Sequence, residues 1–474
     1  MTEPVIVPRP EHQLSRRDID SDALKVLYKL HESGYIAYLV GGSVRDLLLG
    51  RRPKDFDIGT SAHPYQVKKL FRNCWIIGRR FRLAHVRFGP KAIEVATFRK
   101  IVVPGTEAEP SEHHQKEPAD AAAGDLLIRH DNTFGTSEED AFRRDFTINA
   151  LFYDIGTFAI IDYVGGLQDL RDGLIRCIGD PNERFQEDPV RMLRAVVMAS
   201  RLGFRLDPPV VEAIAKHRGL MATASPSRLI EEYYKVLRSG AAEQTFRSLA
   251  EHRLLEPTTP ELQRGAKNQA LWDALAALDA HRRRFEGIPA SLTNPVILGT
   301  LLVPLGLMPK RDFADPAIDE TADDEGVAAS TPEDEQPANG VSRSAHRRRT
   351  PKAPILKIGS LPIARGDTER LRQLLSLQQR IADVDLTPRA KRALLHRGGF
   401  QDALTWFEIH GQEPAVLEHW KGFIEALGPE ALHPPAGIGS GEGGRGGDRP
   451  AGTGRRRRGR RRRGRGGFSR PPES

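Results

Sequence analysis

Long apolar runs are missing from this chain of 474 residues. No stretch of about 18 consecutive apolar residues occurs, so no membrane-spanning helix is expected. Cysteine is nearly absent: Cys74 and Cys177 are the only two, too few for a disulfide framework or a thiolate zinc site. The opening residues MTEPVIVPRPEHQ carry neither a basic lead nor an apolar stretch. No export signal is expected, and a reducing, cytoplasmic setting fits best. Excess charge is also missing from most of the chain. The formal net charge is +8, yet residues 431–474 hold 12 Arg against Glu442, Asp448 and Glu473, leaving the remainder at -1. Basicity is thus a property of one end. A hydrophobic share of 39% and a mean hydropathy of -0.45 describe a polar chain too long for one core, so several domains are expected.

What is present is strongly segmented. Residues 1–20 are rich in proline and charge and read as a flexible N-terminus. Residues 21–180 read as an α/β unit with a small sheet. Its signals are a helix across Asp22–His31, a strand at Tyr38–Val40, a helix at Val44–Leu49, a strand at DFDIG, a helix at 64–72, and a hairpin turning at Gly89-Pro90-Lys91. Residues 104–137 read as a mobile polar loop, in which His113-His114 is a solvated pair rather than a metal site. The segment EEDAFRRDFTINALFYD returns to a helical and apolar pattern. Residues 181–310 read as an all-α body, and 311–352 as a disordered linker, since 312–335 holds ten acids and no base before the charge turns positive. A helical module is expected over 353–430. The Gly-, Pro- and Arg-rich residues 431–474 cannot build a core and read as a disordered tail. The expected fold class is α+β: a mixed-sheet head, then an all-α body, then the tail.

The densest chemistry lies at YLVGGSVRDLLLGRRPKDFDIG. Gly41-Gly42 lets backbone approach a polyphosphate without Cβ interference. The helix after it offers first-turn amides to an anion, with Arg45 placed to bind the same group. Asp55 and Asp57 flank Phe56, so an extended strand puts both carboxylates on one face. Two hard oxygen ligands suit Mg²⁺, which keeps water and substrate phosphates as its other ligands. Together these parts describe a nucleotidyl transferase site.

Three further elements carry candidates. Glu94, in AIEVATFR, is either a third carboxylate beside the aspartates or an outward residue of an amphipathic strand. RRDFTINA supplies Arg143, Arg144, Asp145 and Asn149, either for triphosphate and ribose contacts or as a helix-start salt bridge. In EDPVRMLR, Asp188-Pro189 is a helix cap, while Asp188, Arg191 and Arg194 recur at i, i+3 and i+6 and can read a nucleobase edge.

LVGGSVRDLLLG with DFD, RRDFTINAL, DYVGGLQDLRDGLIR, EDPVRMLRA and SRLIEE resemble, in order, the class II nucleotidyltransferases of the DNA polymerase β superfamily over about residues 38–237. That family comprises bacterial poly(A) polymerases and tRNA CCA-adding enzymes. The resemblance implies a polymerase-β-like head, phosphate contacts from the Gly41-Gly42 turn and Arg45, catalytic Mg²⁺ on Asp55 and Asp57, and nucleotide contacts from Arg144, Asp188, Arg191 and Arg194. It also places Asp145 in the active centre. Val197 departs from the pattern, since the family often has arginine there. The hairpin sequence GRRFRLAHV is similar to the segment that marks the poly(A) polymerase branch. The resemblance therefore implies transfer of AMP from ATP to RNA 3′ ends, tailing that promotes mRNA decay, with RNA-decay machinery a candidate partner of the basic tail. A CCA-adding enzyme is the near alternative, and a non-catalytic RNA-binding protein the distant one.

Overall fold

The structure, a computed structural model, describes residues 3–78, 82–100, 134–308 and 356–428. The expected loop at 104–137 with His113-His114 lies, up to residue 133, outside the described residues, as do the linker over 311–352 and the tail over 431–474.

Apolar residues at helical spacing give α1, Ser21–Glu32, whose N-terminus is capped by the Asp20 carboxylate accepting from the Asp22 and Ala23 amides. It buries Ala23, Val26, Leu27 and Leu30 against a mixed sheet. The sheet has eight strands: β1 Val5–Val7, β2 Ala37–Val40, β3 Asp57–Thr60, β4 Cys74–Ile77, β5 Leu83–Phe88, β6 Lys91–Thr97, β7 Leu151–Asp154 and β8 Ile160–Asp162. Their spatial order is β1-β8-β7-β2-β3-β6-β5-β4. All neighbours run antiparallel except β3 and β6. Helix α2, Gly42–Leu48, follows β2, and α3, Pro64–Leu70, follows β3.

The two sheet faces differ. Leu39, Ile58, Val86, Ile93 and Val95 point into the main core with α1 and α3. On the opposite face Val40, Phe98 and Phe152 form a smaller cluster with Tyr38 and with Ala141 of α4, Ser137–Phe142. That smaller cluster stops short of β6, which leaves the sheet face beyond it for the site.

Three expectations need correction here. Residues 3–20 are not loose: β1 pairs with β8 from Val5 opposite Asp162 to Val7 opposite Ile160, and Leu14 and Ile19 are buried. LFYD is not a continuation of helix but the strand β7, whose Leu151, Phe152 and Tyr153 are fully buried and which pairs with both β2 and β8. Burial on both faces gives a central strand the same apolar run as a buried helix. Asp55 lies before β3, which begins at Asp57, so the two aspartates do not share one strand.

The remainder is helical, as expected. Helices α5 Gly166–Asp172, α6 Pro181–Glu187, α7 Val190–Leu202, α8 Pro208–His217, α9 Pro226–Leu237, α10 Ala242–Glu251, α11 Pro260–Gly265, α12 Gln269–Arg283 and α13 Asn294–Leu302 follow one another. Short parallel strands Leu174–Ile175 and Arg205–Leu206 tie the head to α7. The C-terminal module opens with an unexpected hairpin, Lys357–Ile358 against Leu361–Pro362, before helices that run from Arg365 to Leu427. Among the described residues no helix is long and apolar enough to cross a membrane.

Candidate active site

The Gly-Gly turn forms because Gly41 takes a φ of +70°, a conformation glycine adopts without strain. A Cβ at Gly41 would sit 3.0 Å from Arg144 Nη1, so the turn and that guanidinium face one another. Arg45 has a different role from an open phosphate arm. It is buried, its Nε and Nη2 donate to Asp46 Oδ1 at 2.8 and 2.6 Å, and its Nη1 donates to Asn149 Oδ1 at 2.6 Å. Asp46 also accepts from Arg201 of α7 at 3.3 Å. Arg45 thus fastens the turn to the Asp145–Asn149 segment, and Asp46 fastens it to the helical body.

Asp57 and Glu94 share one face of the sheet. Ile58 pairs with Val95 and both are buried on the far side, so their predecessors Asp57 and Glu94 emerge together on the near side. The burial of the site, then Glu94 and Asp55 in turn, push the Asp57 carboxyl up to about 6, while Arg144 pulls it down. Glu94 is likewise raised, by burial and by Asp55. Asp55 is largely exposed, with Lys54 Nζ at 3.7 Å. Three carboxylates repel one another here with too little positive charge between them. Among the described residues no three carboxylate, imidazole or thiol groups close on one point as a ready-made cage. An open set of oxygen ligands is what Mg²⁺ accepts, since water and phosphate complete its shell, and the surplus of negative charge fits a divalent cation.

The RRDFTINA segment is braced from three sides. Asp140, buried in α4, accepts from Arg143 Nε at 3.0 Å and from Arg144 Nε and Nη2 at 3.1 and 2.9 Å. Those guanidinium groups hold its carboxyl below the usual range against the opposing effect of burial. Arg184 Nη2 donates to the carbonyls of Arg143 and Arg144. From below, the DYVGG motif acts as a bracket: Asp162 accepts from the amides of Val164, Gly165, Gly166 and Leu167. Asp169 of the following α5 then accepts from Thr147 Oγ1 at 2.6 Å.

Asp145 is buried and turned toward the body. Its carboxylate lies 2.8 Å from Arg194 Nη2 and accepts from Asn149 Nδ2 and the Phe146 amide. Burial raises its pKa but Arg194 and these donors outweigh it, so the group stays below the carboxylate range. Asp145 is thus neutralised by Arg194, whereas Glu94 is coupled to Asp55 and Asp57. Asp188 is not the N-cap of α7, a place taken by Pro189; it closes α6, accepts from the Val190 amide at 3.2 Å, and is gripped by both terminal nitrogens of Arg228, at 3.1 and 2.7 Å. Arg191 Nη1 donates to Glu187 at 2.7 Å and to the Arg184 carbonyl. The i, i+3, i+6 trio therefore fans out to three separate partners. Spacing assigned no role to Asp140, Asp162, Arg184 or Arg228, although Asp140 stood in EEDAFRRDFTINALFYD, Asp162 in DYVGGLQDLRDGLIR and Arg228 in SRLIEE; only Arg184 lay outside every motif singled out.

Comparison with known proteins shows what the head resembles. Residues 37–176 match the family described as "Poly A polymerase head domain", and residues 203–265 match the one described as "Probable RNA and SrmB- binding site of polymerase A". The head is thus similar to that of poly(A) polymerases, and the segment 203–265 to their RNA-binding region. It is 50% identical over 264 residues to poly(A) polymerase I of Escherichia coli O6:H1, covering 55% of this chain and 54% of that one. It is 40% identical over 235 residues to the CCA-adding enzyme of Bacillus pumilus, covering 49% and 54%. The matches thus span about half the length of these curated relatives. Among solved structures, the Bacillus stearothermophilus CCA-adding enzyme in complex with CTP aligns with a TM-score of 0.50 at 25% identity, over 85% of this chain and 82% of that one. The α+β head with a helical body agrees with the fold expected from the sequence.

Proposed function

We propose that this protein is a template-independent nucleotidyltransferase that transfers AMP from ATP to the 3′ hydroxyl of RNA and releases pyrophosphate. The observation that carries the reaction type is the β3–β6 register that brings Asp57 and Glu94 to one sheet face, with Asp55 beside them and Arg144 against the Gly41 turn. Asp55 and Asp57, with Glu94 beside them, would hold Mg²⁺, which when bound lowers the pKa of the attacking hydroxyl and offsets charge on the leaving pyrophosphate. The turn at Gly41-Gly42 leaves room for the triphosphate, and Arg144, held by Asp140, donates to its oxygens. Arg45 positions the turn from behind. Asp188, Arg191 and Arg194 would present acceptor and donors to the base edge in place of a template. Asp145 sets Arg194 for that task.

The adenylate branch is favoured because identity to a poly(A) polymerase I, 50%, exceeds that to a CCA-adding enzyme, 40%, and because GRRFRLAHV is present. Structural likeness to a CCA-adding enzyme keeps that activity as the second reading. Purified protein incubated with generic RNA, Mg²⁺ and each nucleotide separately should give long tails with ATP alone. CTP incorporation equal to ATP would overturn the branch. Full activity in a D55A/D57A double variant would instead favour a non-catalytic RNA-binding protein. Removing 431–474, with its 12 Arg, should weaken RNA binding and flatten its salt dependence.

A further inference from the structure

The row of side chains that contains Asp57 and Glu94 does not end there. Glu94 pairs across β6 and β5 with His85, and His85 pairs across β5 and β4 with Trp75. Residues directly opposite on neighbouring strands share a face, so one surface carries, in order, carboxylates, an imidazole 3.7 Å from Glu94, and an indole at the open edge of the sheet. Trp75 is 51% exposed and Ile77, two residues on, is 50% exposed. Arg87 lies over the Trp75 ring at 5.6 Å. The other tryptophans, Trp272, Trp406 and Trp420, are all buried. A large aromatic left in water on an edge strand is costly unless something covers it.

Charge indicates what covers it. From Ile58 to Ile93 the chain holds eight Lys or Arg and no acid; Arg87 is exposed beside Trp75, and Lys68, Lys69 and Arg72 are exposed on and just after α3, which packs against β4 from the other face of the sheet. From Glu94 to Trp75 is two strand spacings, roughly 10 Å. That is within reach of the last few nucleotides of an extended strand whose 3′ end lies at the carboxylates. An aromatic platform with an arginine beside it, continuous with the site, is the composition of a single-stranded nucleic acid surface.

We infer that the β4–β5 edge is a landing surface for the 3′-terminal segment of RNA, with a base stacked on Trp75 and the backbone facing Arg87. The inference rests on the proposed RNA substrate but not on turnover. The test uses the full chain and a short oligoadenylate RNA without ATP. Binding should quench the emission of the exposed indole, and W75F should abolish that quenching. W75A should raise the Kd for the oligonucleotide, and the KM for RNA, by roughly tenfold, with the KM for ATP unchanged. W75F, which keeps a ring, should restore most of the affinity. Wild-type affinity in W75A would overturn the inference. So would a W75A change in oligomeric mass at unchanged RNA affinity, because the edge would then be a contact between copies of the chain. Failure of the wild type to extend RNA, with quenching intact, would count against the proposed reaction and leave this surface standing.

Discussion

Replacing Asp57 by Asn should stabilise the protein while abolishing its activity. The carboxyl sits at about 6 where an ordinary aspartate is near 3.8. On folding it takes up a proton between those two values. The cost of its charge is therefore absent below about pH 4, grows between pH 4 and 6, and is fully present above pH 6. The displacement corresponds to about 3 kcal/mol. Asp57 is nevertheless open to solvent on one side, so water screens much of that, and a gain of about 1 kcal/mol is the expectation for D57N at pH 7.5. Urea denaturation with EDTA at pH 7.5 and at pH 4 measures it: a higher midpoint for D57N at the first pH and none at the second. Mg²⁺ with ATP should then stabilise the wild type and not the variant, reversing the order. A D57N protein less stable than wild type in EDTA at pH 7.5 would refute the reasoning, since the carboxylate would then be making a favourable contact. Wild-type affinity for Mg²⁺ should also fall as pH drops through 6.

Other outcomes follow from the same geometry. D140N removes the shared acceptor of Arg143 and Arg144 and should cost about 2 kcal/mol in urea unfolding, with a raised KM for ATP. Because the Asp140 pKa is depressed, the deficit should be full above the ordinary carboxylate range and shrink as pH falls through the lowered value. G59A should cost about 1–3 kcal/mol, since a Cβ there would lie 2.6 Å from Phe98 and 2.9 Å from Val40. R228A breaks a largely exposed pair with Asp188 and should change stability by less than about 1 kcal/mol. It should nonetheless narrow the preference for ATP over CTP in single-nucleotide assays.

The sequence was legible where one element carries its own signal. Periodicity located α1, α3 and the β5–β6 hairpin, and Gly41-Gly42 located the turn. It failed where the deciding partner is distant. The Pro-rich start gives no sign that Val5 will pair with Asp162, and LFYD has the same apolar run whether it becomes helix or central strand. Arg45 shows the same limit at the site. Its place after the turn suggested a phosphate ligand, but Asn149, more than a hundred residues on, takes its guanidinium. Likewise the i, i+3, i+6 spacing of Asp188, Arg191 and Arg194 states which face they occupy but not that Arg228, Glu187 and Asp145 hold them.

The strand at Val5–Val7 has a practical side. The family match begins at residue 37, and a head cut at that boundary would lose β1 and the whole of α1. Such a fragment would present the unpaired edge of β8 to its neighbours and leave a trough where Leu14, Val26, Leu27 and Leu30 had been. Insolubility of that fragment would then reflect where the cut was made rather than any dependence of the head on the helical body. The smallest head worth isolating keeps β1 from Val5 onward.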